Sequence, residues 1–329
     1  MTSFPVQSLG PYLLLEPLGD GGMAEVWLAL RRYRPGAHRF CALKCILPPY
    51  EAHPDYIGLF RHEAAVSLRM AHPNVVATWE YCVVGGRHTM VQEWMPGVTL
   101  AELLDVHGAL PQDTAVYVAT EVLAALAYVH ALCDESGTPM QVVHRDVCPG
   151  NVHIGYDGRC RLFDFGVCRT YGEDLAIQRG SIVGTAAYIS PEQCRSAVVD
   201  GRSDLFSLAA VLADMLSGES LFARDNPIRT YRAITAGPIA LSPLIDADLG
   251  AVILRDLDRD YRNRHANADE FARALQPWLR EGARERLRDI VLAHFGERLR
   301  RDREICARAL ETDSPPFHCC PTTFQNSEC

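Results

Sequence analysis

Apolar and polar positions change period along this chain. Tyr12-Leu13-Leu14-Leu15 is an apolar run of strand length, a second strand is predicted from Glu25-Val26-Trp27, and Cys41-Ala42-Leu43-Lys44-Cys45-Ile46 alternates as a third. Asp55 to Met70 reads as a helix, and so does Leu110 to Leu132, where Ala115, Val118, Ala119, Val122, Leu126 and Val129 recur at helical spacing. Cys133 to Gln141, holding Gly137 and Pro139, is predicted as a loop. Two short strands then follow, Val152-His153-Ile154 and Cys160-Arg161-Leu162-Phe163, joined by an Asp157-Gly158 hairpin turn. Arg31-Arg32-Tyr33-Arg34-Pro35-Gly36 reads as a solvated hairpin tip. Beyond Trp278, residues Arg280 to Leu310 place Leu287, Ile290, Val291, Phe295 and Leu299 on one stripe, which predicts one amphipathic helix or two with a break near Gly296. That stripe is expected to pack on the body of the fold or to meet a second copy or a partner. Thr312 to Cys329, with Pro315, Pro316 and Pro321, is expected to be a disordered tail.

Composition narrows the function classes. Thirty-two Lys and Arg against 41 Asp and Glu leave a net charge of −9, which disfavours nucleic acid as a partner. No stretch approaches the roughly 20 apolar residues that cross a bilayer, so no transmembrane segment is expected. Of the twelve cysteines only Cys319-Cys320 are adjacent, and with His318 they lack the spaced second pair of a metal site; the rest are scattered singly, and no secretory leader is read at Met1-Thr2-Ser3-Phe4-Pro5. Reduced thiols and a cytoplasmic location are the expectation.

The chemistry is concentrated in His144-Arg145-Asp146, Asn151 and Asp164-Phe165-Gly166. One carboxylate can orient a hydroxyl, while an amide oxygen and a second carboxylate suit Mg²⁺ held against nucleotide phosphates; phosphoryl transfer is mainly positioning and charge neutralisation. The predicted hairpin returns Asp164 to the neighbourhood of the Asp146 loop. Upstream, Leu18-Gly19-Asp20-Gly21-Gly22-Met23-Ala24-Glu25-Val26 supplies glycines that let the backbone approach phosphates closely. A lysine among apolar neighbours needs a counter-charge, and Glu63 is the candidate partner for Lys44.

In this order, and with Gly184-Thr185-Ala186-Ala187-Tyr188-Ile189-Ser190-Pro191-Glu192 following, the motifs resemble those of eukaryotic-type protein kinases. Gly-Gly-Met, His72-Pro73-Asn74 and Ser-Pro-Glu-Gln resemble the bacterial serine/threonine members, and His144-Arg145-Asp146-Val147 followed by Cys148, Pro149 and Asn151 is similar to the kinases abundant in myxobacteria. The resemblance implies an α+β, two-lobed fold with a small antiparallel-sheet lobe carrying one main helix and a larger helical lobe. The kinase domain is expected over 12–280, with the small lobe at about 12–92, the hinge at 93–97 and the large lobe at 98–280. A helical extension over 281–311 and the tail over 312–329 complete the chain. The implied roles are Asp146 for the substrate hydroxyl, Asn151 and Asp164 for Mg²⁺, and Lys44 with Glu63 for the phosphates of ATP. Leu18, Gly19, Asp20, Gly21 and Gly22 would cover the phosphates, Val26 and Ala42 would line the adenine, Glu93 and Met95 would meet it in the hinge, and Gln92 would control the pocket behind it. Asp204 matches a buried aspartate that holds the catalytic loop, and Glu192 with Arg264 an ion pair bracing the substrate segment. Arg145 is placed to pair with a phosphate on the loop holding Ser181, Thr170 and Thr185, so these are the candidate regulatory hydroxyls, Thr185 also shaping an acceptor pocket for serine or threonine of protein substrates.

Two positions depart from the pattern. Ala24 replaces the third glycine of the phosphate loop. Cys148 stands where a lysine usually neutralises the γ-phosphate, a loss of about 3 to 4 kcal/mol of transition-state stabilisation unless Arg161 or Arg169 substitutes. An ATP-binding pseudokinase or scaffold is therefore the alternative class, and a small-molecule kinase of the same fold a further one.

Overall fold

The computed structural model describes residues 7–20, 23–34, 36–165, 185–195 and 197–311. Strands β1 (Gln7–Leu9), β2 (Tyr12–Asp20), β3 (Ala24–Arg34), β4 (Ala37–Ile46), β5 (Thr78–Val84) and β6 (Arg87–Glu93) form one antiparallel sheet in the order β1-β2-β3-β4-β6-β5. The short helices α1 (Pro48–Glu51) and α2 (Pro54–Ser67) stand between β4 and β5. A second, three-stranded sheet joins β7 (Gly97–Thr99), β8 (Val152–Gly155) and β9 (Cys160–Leu162), with α3 (Leu100–His107) and α4 (Gln112–His130) between its first two strands. The rest is helical: α5 (Pro191–Cys194), α6 (Gly201–Ser217), α7 (Pro227–Thr235), α8 (Ala247–Asp256), α9 (Ala268–Leu275) and α10 (Ala283–Glu311). The chain divides into two compact units, one of Met1–Gly58, Thr78–Trp94 and Arg301–Cys329, the other of Leu59–Ala77 and Met95–Arg300.

In the first unit, alternation along β4 decides which side chains are core. Cys41, Leu43 and Cys45 point to one face and are buried with Tyr12, Ala29 and Val91. Burial pushes the Cys41 thiol up to about 12 and that of Cys82 to about 11, so both stay protonated, inert packing groups. Arg31 and Arg32 correct the expectation of a solvated hairpin tip, because β3 runs through them. Arg31 donates to Glu80 at 2.6 Å and to the Tyr12 hydroxyl at 3.0 Å.

The second unit is built around α4 and α6. From Ser203 to Leu216 every residue of α6 is buried, the mark of a helix packed on all sides. Its start is capped by Asp200, whose side chain accepts from the Arg202 amide at 2.9 Å. Its end is Gly218, left-handed at φ 74°, a conformation that glycine adopts without a Cβ penalty.

The C-terminal stripe forms α10, with a non-helical turn at Phe295 (φ −119°, ψ 16°). Leu287 and Val291 are fully buried in the core of the second unit. Arg286 pairs there with Asp113, and Arg298 with Glu102 at 2.6 Å. The β8–β9 turn meets the start of this helix at Gly158 (φ 79°), where a Cβ would clash with the Arg284 carbonyl oxygen. From Arg301 onward the helix belongs to the first unit. There Ala309 is buried with Leu13 and Leu30, Arg301 pairs with Glu16 at 2.6 Å, and Arg32 donates to the Ala309 carbonyl at 2.6 Å. That bond satisfies one of the carbonyls a helix leaves unpaired at its C-terminus. The expected tail, 312–329, lies outside the described residues. Among the described residues no helix is long and apolar enough to cross a membrane.

Candidate active site

Each unit carries part of the expected site. In the first, β3–β4 register sets Val26 opposite Lys44 and Leu28 opposite Ala42, while β4–β6 register sets Lys44 opposite Met90 and Ala42 opposite Gln92. Since side chains alternate, Val26, Ala42 and Lys44 share the face opposite to the Cys41–Leu43–Cys45 core. Gly19 pairs with Val26 and so adjoins this face, and Leu18 beside it is 39% exposed. Gln92 donates to Thr78 Oγ1 at 3.3 Å, which satisfies the polar group behind the expected adenine position. Glu93 ends β6 in this unit, and Met95 begins the next stretch of the second. Glu63, 5% exposed on α2, belongs to the second unit. Gly21, Gly22, Thr170 and Ser181 lie outside the described residues, as do the side chains of Asp20 and Thr185. Arg169 also lies outside them, and Arg161 sits on β9 opposite His153.

In the second unit the catalytic-loop residues are assembled by backbone bonds. Leu162 on β9 pairs with Val152 on β8, and the Phe163 amide donates to the Asn151 carbonyl at 3.1 Å. This places Asp164 beside Asn151. The Asn151 side-chain amide donates through Nδ2 to the Asp146 carbonyl at 2.8 Å. Its Oδ1 then remains as the acceptor end, a hard oxygen donor of the kind Mg²⁺ prefers alongside a carboxylate. Asn151 and Asp164 thus fit the expected metal role by donor chemistry.

The same loop is held from behind. Fully buried Asp204 accepts from the His144 amide at 2.9 Å, the Arg145 amide at 2.8 Å and His130 Nε2 at 2.7 Å. Burial alone would raise the Asp204 carboxyl, but the hydrogen bond and charge of His130 and the loop's amides hold it below its ordinary value. His144 is itself fully buried; its Nε2 donates to the Phe163 carbonyl at 3.2 Å and its Nδ1 accepts from the Asp146 amide at 3.2 Å. A neutral ring carrying its proton on Nε2 satisfies both bonds, and it packs on Phe165 with centroids 4.7 Å apart. Arg145 and Asp164, like Gln141 upstream, adopt positive φ, here 66° and 61°, a conformation unusual outside glycine.

The segment after the catalytic loop is braced as firmly. Arg264 forms a fork on Glu192, at 2.7 and 2.9 Å, with both side chains almost wholly buried. Tyr188 donates its hydroxyl to Asp214 at 2.8 Å, and its carbonyl accepts from Ser207 at 2.6 Å. Burial raises the Asp214 carboxyl to about 6. Cys148 is 6% exposed, and its carbonyl accepts from the Asn151 amide at 3.0 Å. His130, Asp214 and Gln193, whose side chain donates to the Arg145 carbonyl at 2.9 Å, escaped the sequence reading. For Gln193 a signal existed, the Ser-x-x-Gln spacing of a capping box; for His130 and Asp214 no local signal did.

The protein kinase domain model matches residues 12–287, most of the chain. The chain belongs to the protein kinase family. It is similar to the tyrosine-protein kinase MasK of Myxococcus xanthus, 31% identical over 305 residues that cover 89% of this chain and 47% of MasK. It is also similar to the serine/threonine-protein kinase PknB of Mycobacterium leprae, 34% identical over 269 residues, 79% of this chain and 42% of PknB. This kinase chain spans less than half the length of these two relatives. The crystal structure of the Mycobacterium tuberculosis PknI kinase domain superposes with a TM-score of 0.62 at 25% identity, covering 84% of this chain and 100% of that one. The antiparallel-sheet unit and the helical unit described above are the two lobes of the protein-kinase fold.

Proposed function

We propose that this kinase transfers the γ-phosphate of ATP to serine or threonine hydroxyls of protein substrates. The observation that supports the reading is the pair of bonds from Asn151 Nδ2 to the Asp146 carbonyl and from the Phe163 amide, next to Asp164, to the Asn151 carbonyl. Asp146 would orient the acceptor hydroxyl and take its proton. Asn151 Oδ1 and the Asp164 carboxylate would hold Mg²⁺, which when bound neutralises charge on the phosphates. Lys44, partnered by Glu63, would fix the α- and β-phosphates under Leu18, Gly19, Asp20, Gly21 and Gly22. Val26 and Ala42 would line the adenine, with Glu93 and Met95 offering backbone groups to it. The domain limits we propose are the kinase domain at 12–280, the helical extension at 281–311 and the tail at 312–329.

The intact Asp146, Asn151 and Asp164 favour catalysis over a scaffold in spite of Cys148. For regulation we propose phosphorylation at Ser181, Thr170 or Thr185, read by Arg145. The free cysteines among the described residues suit a reducing cytoplasm. A second copy or partner protein at the C-terminal helix would have to meet its charged side, since Leu287 and Val291 are already covered.

The test is transfer of labelled phosphate from Mg-ATP to a generic basic protein, beside Asp146→Asn, with phosphoamino-acid analysis of the product. Label on serine and threonine that disappears in the variant supports the proposal. ATP binding without transfer would sustain the scaffold instead, and label confined to tyrosine would move the acceptor preference to that of the MasK-like relative.

A further inference from the structure

We propose that Gln193 is a positioning residue for phosphoryl transfer, holding the catalytic loop through the carbonyl of Arg145. The inference rests on the proposed role of Asp146. Arg145 is the residue before Asp146 and adopts left-handed φ of 66° with a side chain present, a conformation that needs support from its surroundings. Its amide is held by Asp204 at 2.8 Å and its carbonyl by Gln193 Nε2 at 2.9 Å. The second bond fixes the peptide group that enters Asp146, and with it the direction in which the Asp146 side chain leaves the backbone.

The choice of glutamine is informative. Gln193 closes a capping box at the start of α5: its Oε1 accepts from the Ser190 amide at 3.1 Å and hydroxyl at 3.0 Å, and Ser190 Oγ accepts from the Gln193 amide at 3.3 Å. Those contacts fix the amide orientation, oxygen towards Ser190 and nitrogen towards Arg145. A capping box works equally with glutamate, which the helix dipole would favour. Another capping box among the described residues does use one: Glu102 caps with one oxygen and takes Arg298 on the other at 2.6 Å. At Gln193 the second atom faces a carbonyl, so only a donor fits. The residue is 7% exposed, leaving little access for water to take over the bond. α5 also carries Glu192, locked to Arg264, so the Gln193 bond ties the braced substrate segment directly to the catalytic loop.

Gln193→Glu keeps the capping acceptor and removes the donor; Ser190→Ala removes the hydroxyl cap and keeps the donor. The full chain is assayed with Mg-ATP and a basic protein substrate, with Asp146→Asn as the blank. We expect Gln193→Glu to lower kcat about 10- to 100-fold, the scale of a small misplacement of a reacting group, with the KM for ATP within about threefold and the urea midpoint close to wild type. Acid should restore part of its kcat, because the protonated carboxyl regains a donor, and wild type should show no such rise. Ser190→Ala should shift the urea midpoint while keeping kcat within about threefold. Should the carboxylate prevent folding, Gln193→Met, similar in length and uncharged, is read for the same kcat loss. The inference is overturned if the donor-lacking variant keeps wild-type kcat, or if its kcat loss only follows stability and Ser190→Ala reproduces it. A wild type no more active than Asp146→Asn would instead remove the underlying reading, and this with it.

Discussion

Replacing Arg264 with methionine should destabilise the helical lobe more than any surface change, because it strands a buried carboxylate. Arg264 places two donors on Glu192, at 2.7 and 2.9 Å, a third on the Asp258 carbonyl at 2.8 Å and a fourth on the Arg202 carbonyl at 2.9 Å. Its side chain is 0% exposed and that of Glu192 6%, so water cannot replace what is lost. Removing one partner of a buried pair typically costs about 3 to 5 kcal/mol. At about 2 to 4 °C per kcal/mol for a unit of this size, the melting shift is roughly 6 to 20 °C. Urea denaturation followed by far-ultraviolet circular dichroism, which reports the helical lobe, measures it directly.

The pH dependence supplies an independent check. Burial would raise the Glu192 carboxyl, but the hydrogen bonds and charge of Arg264, with the bond from Ser203, hold it below its ordinary 4.5. A depressed carboxyl contributes stability that is present above about 4.5 and lost as the pH falls through the folded-state value. Without the guanidinium the bond from Ser203 is left to oppose the larger effect of burial, and the sign reverses. The stability gap between wild type and Arg264→Met should therefore narrow as the pH is lowered from 7 through about 4.5. Converting both partners, Glu192→Leu with Arg264→Met, should recover a large part of the loss, since the desolvation of both charges is then avoided. A single-variant loss below about 1 kcal/mol, or a gap indifferent to pH, would refute the reasoning.

Two further outcomes follow from burial elsewhere. Asp214, raised by burial to about 6 from an ordinary 3.8, contributes stability that is full below about 3.8 and lost as the pH rises through about 6. Measured against Asp214→Asn, wild type should thus lose about 2 kcal/mol of relative stability between pH 4 and pH 7, and a flat difference in urea titrations at the two pH values contradicts this. Leu287→Ala, at a position with no exposure, should cost about 2 to 5 kcal/mol by the same denaturation assay. Arg300→Ala, whose side chain is 67% exposed, should change stability by less than about 0.5 kcal/mol, and equal effects of the two would show that the extension is not packed as described.

What could be read from the sequence was local. Alternation along Cys41–Ile46 predicted the strand that carries Lys44, and the short strands around Asp157-Gly158 were legible because a turn glycine flanked by alternating positions has one common use. The helix of Leu110 to Leu132 was legible from its period, and the break near Gly296 appears as the non-helical turn at Phe295. Arg31 and Arg32 were misread because a cluster of arginines looks solvated when its acceptors are invisible. One acceptor is Glu80 on β5 and the other a carbonyl near the end of the last helix, both far away along the chain.

The residues that escaped the reading share a physical reason: their partners are peptide groups or side chains far away along the chain, and local sequence announces neither. His130 ends a helix and reads as an ordinary last-turn cation, yet it completes the set of donors on Asp204 that fixes two consecutive amides of the catalytic loop. The loop's own residues were found because their chemistry is in their side chains. Their geometry, however, is set by bonds to main-chain groups of His144, Arg145, Asp146 and Phe163, which any residue type presents. Side-chain identity therefore names the candidates for catalysis, while the buried acceptors and donors behind them decide whether those candidates are aimed. On this argument, substitutions at Asp204, His130 or Gln193 should lower turnover without contacting substrate, and their effects should be non-additive, because all three restrain the same short stretch of backbone.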